Sequence, residues 1–176
     1  MSTIPDVEDI QQAIQAGRPV RDHGPYQVLV GDELLNYVPV VIADPVPTGR
    51  QVLQAADARP AVEHSVFQVL GNGQLENLRL DETTDLRSHG VEKFLVFHSD
   101  RSFRLEIDGE VFEWGSSRIQ GRVLKVLAKV DMATYGVWQE IRGQDDRAIT
   151  DDDFADLTHH GVERFFTGIV KTTEGA

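Results

Sequence analysis

Between Ser102 and Asp108 the chain reads SFRLEID, with apolar Phe103, Leu105 and Ile107 alternating with polar neighbours. That period of two predicts a strand with one buried face. Asp108-Gly109 is a strong two-residue hairpin signal, and EVFEW (Glu110–Trp114) predicts the returning strand. The period then lengthens. Ile119, Val123, Val126, Leu127 and Val130 recur at helical intervals, and Ser117 precedes Gln120 at the spacing of a capping box. Arg118, Arg122, Lys125 and Lys129 take the opposite stripe of that helix. GVWQEI (Gly136–Ile141) predicts another strand. A Gly/Asp turn, a short Arg147–Ile149 segment and an acidic loop follow, and VERFFT (Val162–Thr167) closes the pattern as a last strand.

The same plan occurs earlier in the chain. HGVEKF (His89–Phe94) returns as HGVERF (His160–Phe165), an offset of 71 residues (160 − 89). At that offset Val66, Phe67 and Gln68 lie over Val137, Trp138 and Gln139, DETTDL over DDFADL, and Val52-Leu53 over Val123-Leu124. YQVLVGDE (Tyr26–Glu33) lies over FRLEIDGE (Phe103–Glu110) at an offset of 77, the extra residues falling in a segment marked as a loop by Pro39, Pro45 and Pro47. Thr48 precedes Gln51 at capping-box spacing, with Val52, Ala55, Ala56 and Arg59 following helically. The chain therefore reads as an internal duplication.

Each copy offers a hairpin, one amphipathic helix, a strand, a loop and a last strand. One such helix needs one apolar sheet face to cover, and connections that do not cross leave few topologies. The solution is α+β: two tandem β-grasp domains, each sheet curling round its helix with the last strand beside the first. In the repeated word, Gly90 and Gly161 are expected where the loop turns sharply into that strand. Phe94 and Phe165 are expected as apolar positions, with Glu92 and Glu163 facing solvent or pairing across strands.

The net charge of −12 argues against a nucleic-acid partner, since phosphate binding needs a basic surface. It divides as −2 over residues 1–24, −5 over 25–98 and −5 over 99–176, as two similar units would. No apolar run approaches the roughly 18 residues of a membrane helix, the N-terminus lacks a signal-peptide pattern, and there is no cysteine; a cytoplasmic protein is expected.

At this point the sequence resembles the bacterial multiubiquitin family, tandem ubiquitin-like domains found beside ubiquitin-type activating, conjugating and JAMM-type peptidase proteins. The resemblance rests on FRLEIDGEVFEW, DFADL and above all HGVERF, with YQVLVGDE, TTDL and HGVEKF as weaker counterparts. It covers roughly residues 26–97 and 102–168. Two such domains joined by a short linker are similar to the two-headed modifier of the vertebrate interferon response. The resemblance implies an N-terminal extension (1–24), a first domain (25–97), a linker (98–101), a second domain (102–168) and a flexible conjugation tail (169–176). It further implies a protein modifier, processed by a JAMM-type metallopeptidase. An ATP-using activating enzyme and a conjugating enzyme would attach it to target proteins, phage structural proteins among them, in antiphage defence.

The tail ends in Glu174-Gly175-Ala176, and Gly175 is its one glycine after Gly168. Removal of Ala176 would expose the Gly175 carboxylate, and glycine suits a narrow active site because it has no Cβ. Ubiquitin instead ends in a diglycine preceded by arginine. The first copy ends LVFHSDRSF, without glycine, so the pair is expected to act as one fused modifier. A tandem adaptor that is never conjugated is the competing reading.

Phe67 and Trp138 occupy matching strand positions, either buried or presented as an apolar partner surface. The stripe Arg118, Arg122, Lys125, Lys129 is either a wet helix face or a surface for an acidic partner. Asp151, Asp152 and Asp153 with His159 and His160 read as a solvated loop rather than a metal site, since adjacent carboxylates point apart. No Walker loop, GxGxxG or GxSxG is present, so neither an enzyme nor a cofactor is expected. Ahead of both copies, Asp6 followed by Val7, Ile10, Ala13 and Ile14, then Gly17 and Pro19, predicts a short capped helix. Docking on the first domain, binding an enzyme and disorder are all open to it.

Overall fold

The computed structural model describes residues 6–88, 93–159 and 161–170. The chain divides into two compact units, Met1–Arg101 and Ser102–Ala176.

In the first unit the chain enters as a two-residue strand, β1 (Glu8–Asp9), and a helix, α1 (Ile10–Gln15). A hairpin follows, β2 (Tyr26–Gly31) and β3 (Tyr37–Ile42), then α2 (Gly49–Ala55). The unit closes with β4 (Ser65–Val69), β5 (Leu75–Leu78) and β6 (Lys93–Phe97). The sheet runs β1-β2-β6-β4-β5, with β3 on β2 and β6 parallel to β2. Val28, Val30, Val66 and Phe94 from the sheet meet Val52 and Leu53 of α2 in one buried cluster. The capping box at α2 is present: Thr48 Oγ1 accepts from the Gln51 amide at 3.1 Å, and Gln51 Oε1 accepts from the Thr48 amide at 2.8 Å.

The N-terminal segment is part of this unit. Ile10 and Ala13 are fully buried, Ile10 within the same cluster. The cap is Asp9, which accepts from the Gln12 amide, and not Asp6. The helix starts later than its apolar spacing predicts because Glu8 is held extended. Glu8 and Asp9 pair in parallel with Tyr26 and Gln27. The Glu8 carboxylate is 3% exposed, accepts two bonds from the Arg18 guanidinium at 2.7 and 2.9 Å, and takes the Arg21 amide at 3.0 Å. The Arg18 bonds, opposed by burial, hold this carboxyl at about 2.

The second unit repeats the plan. β7 (Phe103–Ile107) and β8 (Glu110–Trp114) form the hairpin, turning through Asp108 and Gly109 at φ 50° and 87°, as the Asp-Gly signal requires. A short strand, β9 (Arg118–Gln120), leads into α3 (Gly121–Ala128). β10 (Tyr135–Gln139), β11 (Arg147–Ile149), β12 (Phe154–Asp156) and β13 (Glu163–Ile169) complete the unit. The sheet order is β11-β10-β13-β7-β8, with β13 parallel to β7, so the last strand lies beside the first. Both units are β-grasp folds of α+β class.

Two readings of the helix start are corrected. Ser117 does not cap α3: Ile119 is buried in β9 opposite Ala155 of β12, so the chain is still extended there. The orphan amides of the first turn are satisfied instead by the acidic loop, Gly121 N bonding Asp153 O at 2.9 Å and Arg122 N bonding Asp151 O at 3.1 Å. In the first unit Gly49 N bonds Glu82 O and Arg50 N bonds Leu80 O in the same way. Gly49-Arg50 therefore matches Gly121-Arg122, an offset of 72 (121 − 49), and the helices align one residue away from the match of Val52-Leu53 with Val123-Leu124. Both glycines are forced by contact. A Cβ would stand 2.3 Å from Arg79 O at Gly49 and 2.1 Å from Thr150 O at Gly121. Among the described residues no helix is long and apolar enough to cross a membrane.

Candidate functional site

Gly175 and Ala176 lie outside the described residues, as does the rest of Lys171–Ala176. What is described is the structure that carries them. β13 is a central strand, bonded to β10 on one side and β7 on the other. Past the end of the β7 ladder, the Asp108 side chain extends the pairing by accepting from the Thr167 amide at 2.8 Å and its hydroxyl at 2.6 Å. At the other edge Val170 N donates to Thr134 O at 2.8 Å. The tail thus departs from a clamped base, with Ile169 73% exposed. Asp108 was legible only as a turn residue; its second task depends on a contact 59 positions away.

The helix-free sheet faces of the two units differ. Alternation along β10 sends Val137 to the core and Trp138 to the opposite face. There the half-buried indole stacks on Phe166 at 5.6 Å and 13°. It lies over two glycines paired across the strands, Gly136 and Gly168: a Cβ would meet the indole at 3.0 Å from the first and 3.3 Å from the second. The glycines make room for a flat aromatic platform beside the base of the tail. In the first unit the equivalent Phe67 is fully buried and packs edge-on to Phe97, with ring centres 5.5 Å apart. Of the two matching aromatics, only Trp138 has surface to offer.

The basic stripe does not survive as one surface. Arg118 is in β9, its guanidinium 4.0 Å from the Phe154 ring centre. Arg122 sits at the first turn of α3. Lys125 is 6% exposed, ion-paired with Asp151 at 2.5 Å and donating to Met132 O at 3.1 Å. It stands where the first unit has buried Leu53, and the pair ties α3 to the acidic loop. Lys129 is exposed and ends the helix in the left-handed region, φ 60°.

In HGVERF, Gly161 has φ +91°, the turn expected of it, and Phe165 is buried. Glu163 is turned largely inward, accepting from Gln139 Nε2 at 2.8 Å across the strands and lying 3.0 Å from His159 Nδ1. These residues line a groove of about 950 Å³ with Arg142, Arg147 and Asp156. His89–Glu92 and His160 lie outside the described residues. Asp151 is engaged by Lys125, and among the described residues no three His, Asp or Glu side chains gather as a metal site.

No curated protein sequence matches the chain. A family model described as Multiubiquitin matches it twice in tandem, over residues 32–99 and 103–168. The first match runs from the turn after β2 to just past β6, and the second from the start of β7 into β13. The chain belongs to the multiubiquitin family.

Proposed function

We propose that this ubiquitin-like chain is a protein modifier, attached to amines of target proteins through Gly175 after a JAMM-type peptidase removes Ala176. The observation that supports it is the clamped last strand of the second unit, whose exposed end at Ile169 and Val170 is followed by KTTEGA. An ATP-using activating enzyme would convert the Gly175 carboxylate to a thioester, and a conjugating enzyme would pass it on. The target amine displaces the thiol, forming an amide bond. Glycine at the reacting position leaves no side chain to obstruct the narrow site.

The Trp138–Phe166 platform lies on the same strand as the base of the tail, and serves in this reading as the contact for the enzymes that handle it. The fused pair acts as one modifier in the cytoplasm, in antiphage defence with phage structural proteins among its targets. The same platform would serve an adaptor that is never conjugated, and the tail separates the two readings.

Reconstitution with activating enzyme, conjugating enzyme, peptidase and ATP tests this. Mass spectrometry is expected to show loss of Ala176 and an ATP-dependent adduct through Gly175. Continued conjugation by a Gly175→Glu variant would refute the assignment.

A further inference from the structure

We infer that the outer edge of β11 is a contact between two copies of this protein, paired antiparallel about a twofold axis with Asp146 of each copy against Arg147 of the other.

β11 (Arg147–Ile149) is the last strand on its side of the second sheet, with β10 as its ladder partner among the described residues. Its other edge presents main-chain N–H and C=O groups, and such an edge is a template for a further strand. The run 142–148, which takes in the turn before β11 and its first two residues, is exposed throughout. Four charged side chains fall in this run: Arg142, Asp145, Asp146 and Arg147. None of them has an ion pair or a side-chain hydrogen bond among the described residues. The edge is thus open and its charges are unspent.

The order of those charges decides what fits. A charged residue ordinarily guards a sheet edge, because a second copy of the strand brings the same charge against it. Here the guard, Arg147, is preceded by Asp146. Pairing two copies antiparallel about an axis between these positions sets Asp146 opposite Arg147 twice, once in each direction, and Asp145 opposite Ala148. An acidic strand meets Asp145 and Asp146, and a basic one meets Arg142 and Arg147. A strand carrying both signs in reversed order satisfies both, and a second copy is such a strand.

The first unit has no such edge. The ladders Val66–Leu78 and Val137–Ile149 match β5 with β11, and place Leu75-Glu76 where the second unit has Asp146-Arg147. Leu75 is buried, and the same twofold pairing there sets an apolar residue against a carboxylate. The contact therefore belongs to the second unit.

A three-residue strand and its turn cover less area than a permanent interface, so the dimer is weak, with a Kd on the order of 0.1–1 mM. Two chains of net charge −12 also repel, and physiological salt, with a Debye length of about 8 Å, screens most of that repulsion.

The test is sedimentation velocity of the full chain over rising concentration at that salt, with Asp146→Arg and Arg147→Asp. The wild type is expected to show a monomer–dimer equilibrium. Each variant sets like charges against one another at both contacts, and is expected to weaken association about tenfold or more. Mixed in equal amounts, the two variants recover unlike pairs at both contacts. They are expected to associate with each other at a concentration at which neither associates alone, a result that a merely structural role does not produce. Both positions are exposed, and tryptophan fluorescence in urea, which follows the second unit, checks that each variant is folded. A wild type still monomeric at about 1 mM would overturn the inference. So would a dimer that either variant leaves intact, or variants that stay monomeric when mixed. No enzyme or ATP enters the experiment, so its outcome is independent of the modifier reading.

Discussion

Replacing Glu8 by glutamine removes one negative charge while keeping the shape of the side chain that fastens the N-terminal segment to the first unit. The carboxyl is held at about 2 instead of 4.5, with the Arg18 hydrogen bonds as the main cause. By linkage that difference is about 3 kcal/mol at neutral pH. Arg18 is 43% exposed, so solvent screening reduces the measurable effect to about 1–2 kcal/mol. The sign follows from a folded value below the unfolded one. The contribution is complete above about 4.5 and is lost as pH falls from there towards 2, with less than half remaining at pH 3.

The chain supplies its own assay for assigning the loss. Both tryptophans, Trp114 and Trp138, are in the second unit, so their fluorescence follows that unit alone, while far-ultraviolet circular dichroism follows both. In urea at pH 7, Glu8→Gln is expected to move the dichroism transition that fluorescence does not report and to leave the tryptophan transition in place. At pH 3 the gap to wild type should shrink by more than half. An equal gap at both pH values would refute the electrostatic account, and no gap at pH 7 would show that the segment is not fastened through Glu8.

Two further outcomes are expected from single substitutions. Thr48→Ala, which removes one arm of the capping box, should destabilise the first unit by about 1 kcal/mol. Ser117→Ala, at the residue whose spacing to Gln120 resembles that of Thr48 to Gln51, should stay within about 0.5 kcal/mol by tryptophan fluorescence, because Ser117 does not cap α3. Trp138→Ala should weaken binding of the activating or conjugating enzyme about tenfold or more, as loss of a central aromatic does, while Phe67→Ala should act through the stability of the first unit instead.

What the sequence made legible was whatever is decided locally. The Phe103–Ile107 alternation, the Asp108-Gly109 turn, the Thr48 box and the Gly161 turn each depend on a few adjacent residues, and each is where its pattern places it. Ser117 had the right spacing and the wrong role, because the chain stays extended through Gln120 against β12, and the first-turn amides of Gly121 and Arg122 go to Asp153 and Asp151, some thirty positions later. The register of the helices failed for a related reason. Apolar residues at helical spacing tolerate a slip of one position, whereas a glycine pressed against Arg79 or Thr150 carbonyl oxygen does not. Lys125 was read as solvent-facing from its charge, and its partner Asp151 was visible only as one member of an acidic run. Gly175, the centre of the candidate site, was found from its place in the chain and lies outside the described residues.

The two copies have diverged where divergence leaves the fold intact. Core positions keep their character, Val66 with Val137 and Phe94 with Phe165, all buried. Non-core positions do not. Where the second unit pairs Gly136 with Gly168 beneath Trp138, the first pairs Ser65 with Phe97, and its aromatic is buried. Where the second ends its helix in exposed Lys129, the first has Asp57, which pairs with Arg59 at 3.4 Å. The first unit in turn carries an N-terminal strand and helix with Ile10 in its core. A duplication kept only for stability would have no reason to place an apolar platform on the last strand of one copy and not the other. Such a platform is costly on a surface, and it belongs to the unit whose last strand leads to the tail.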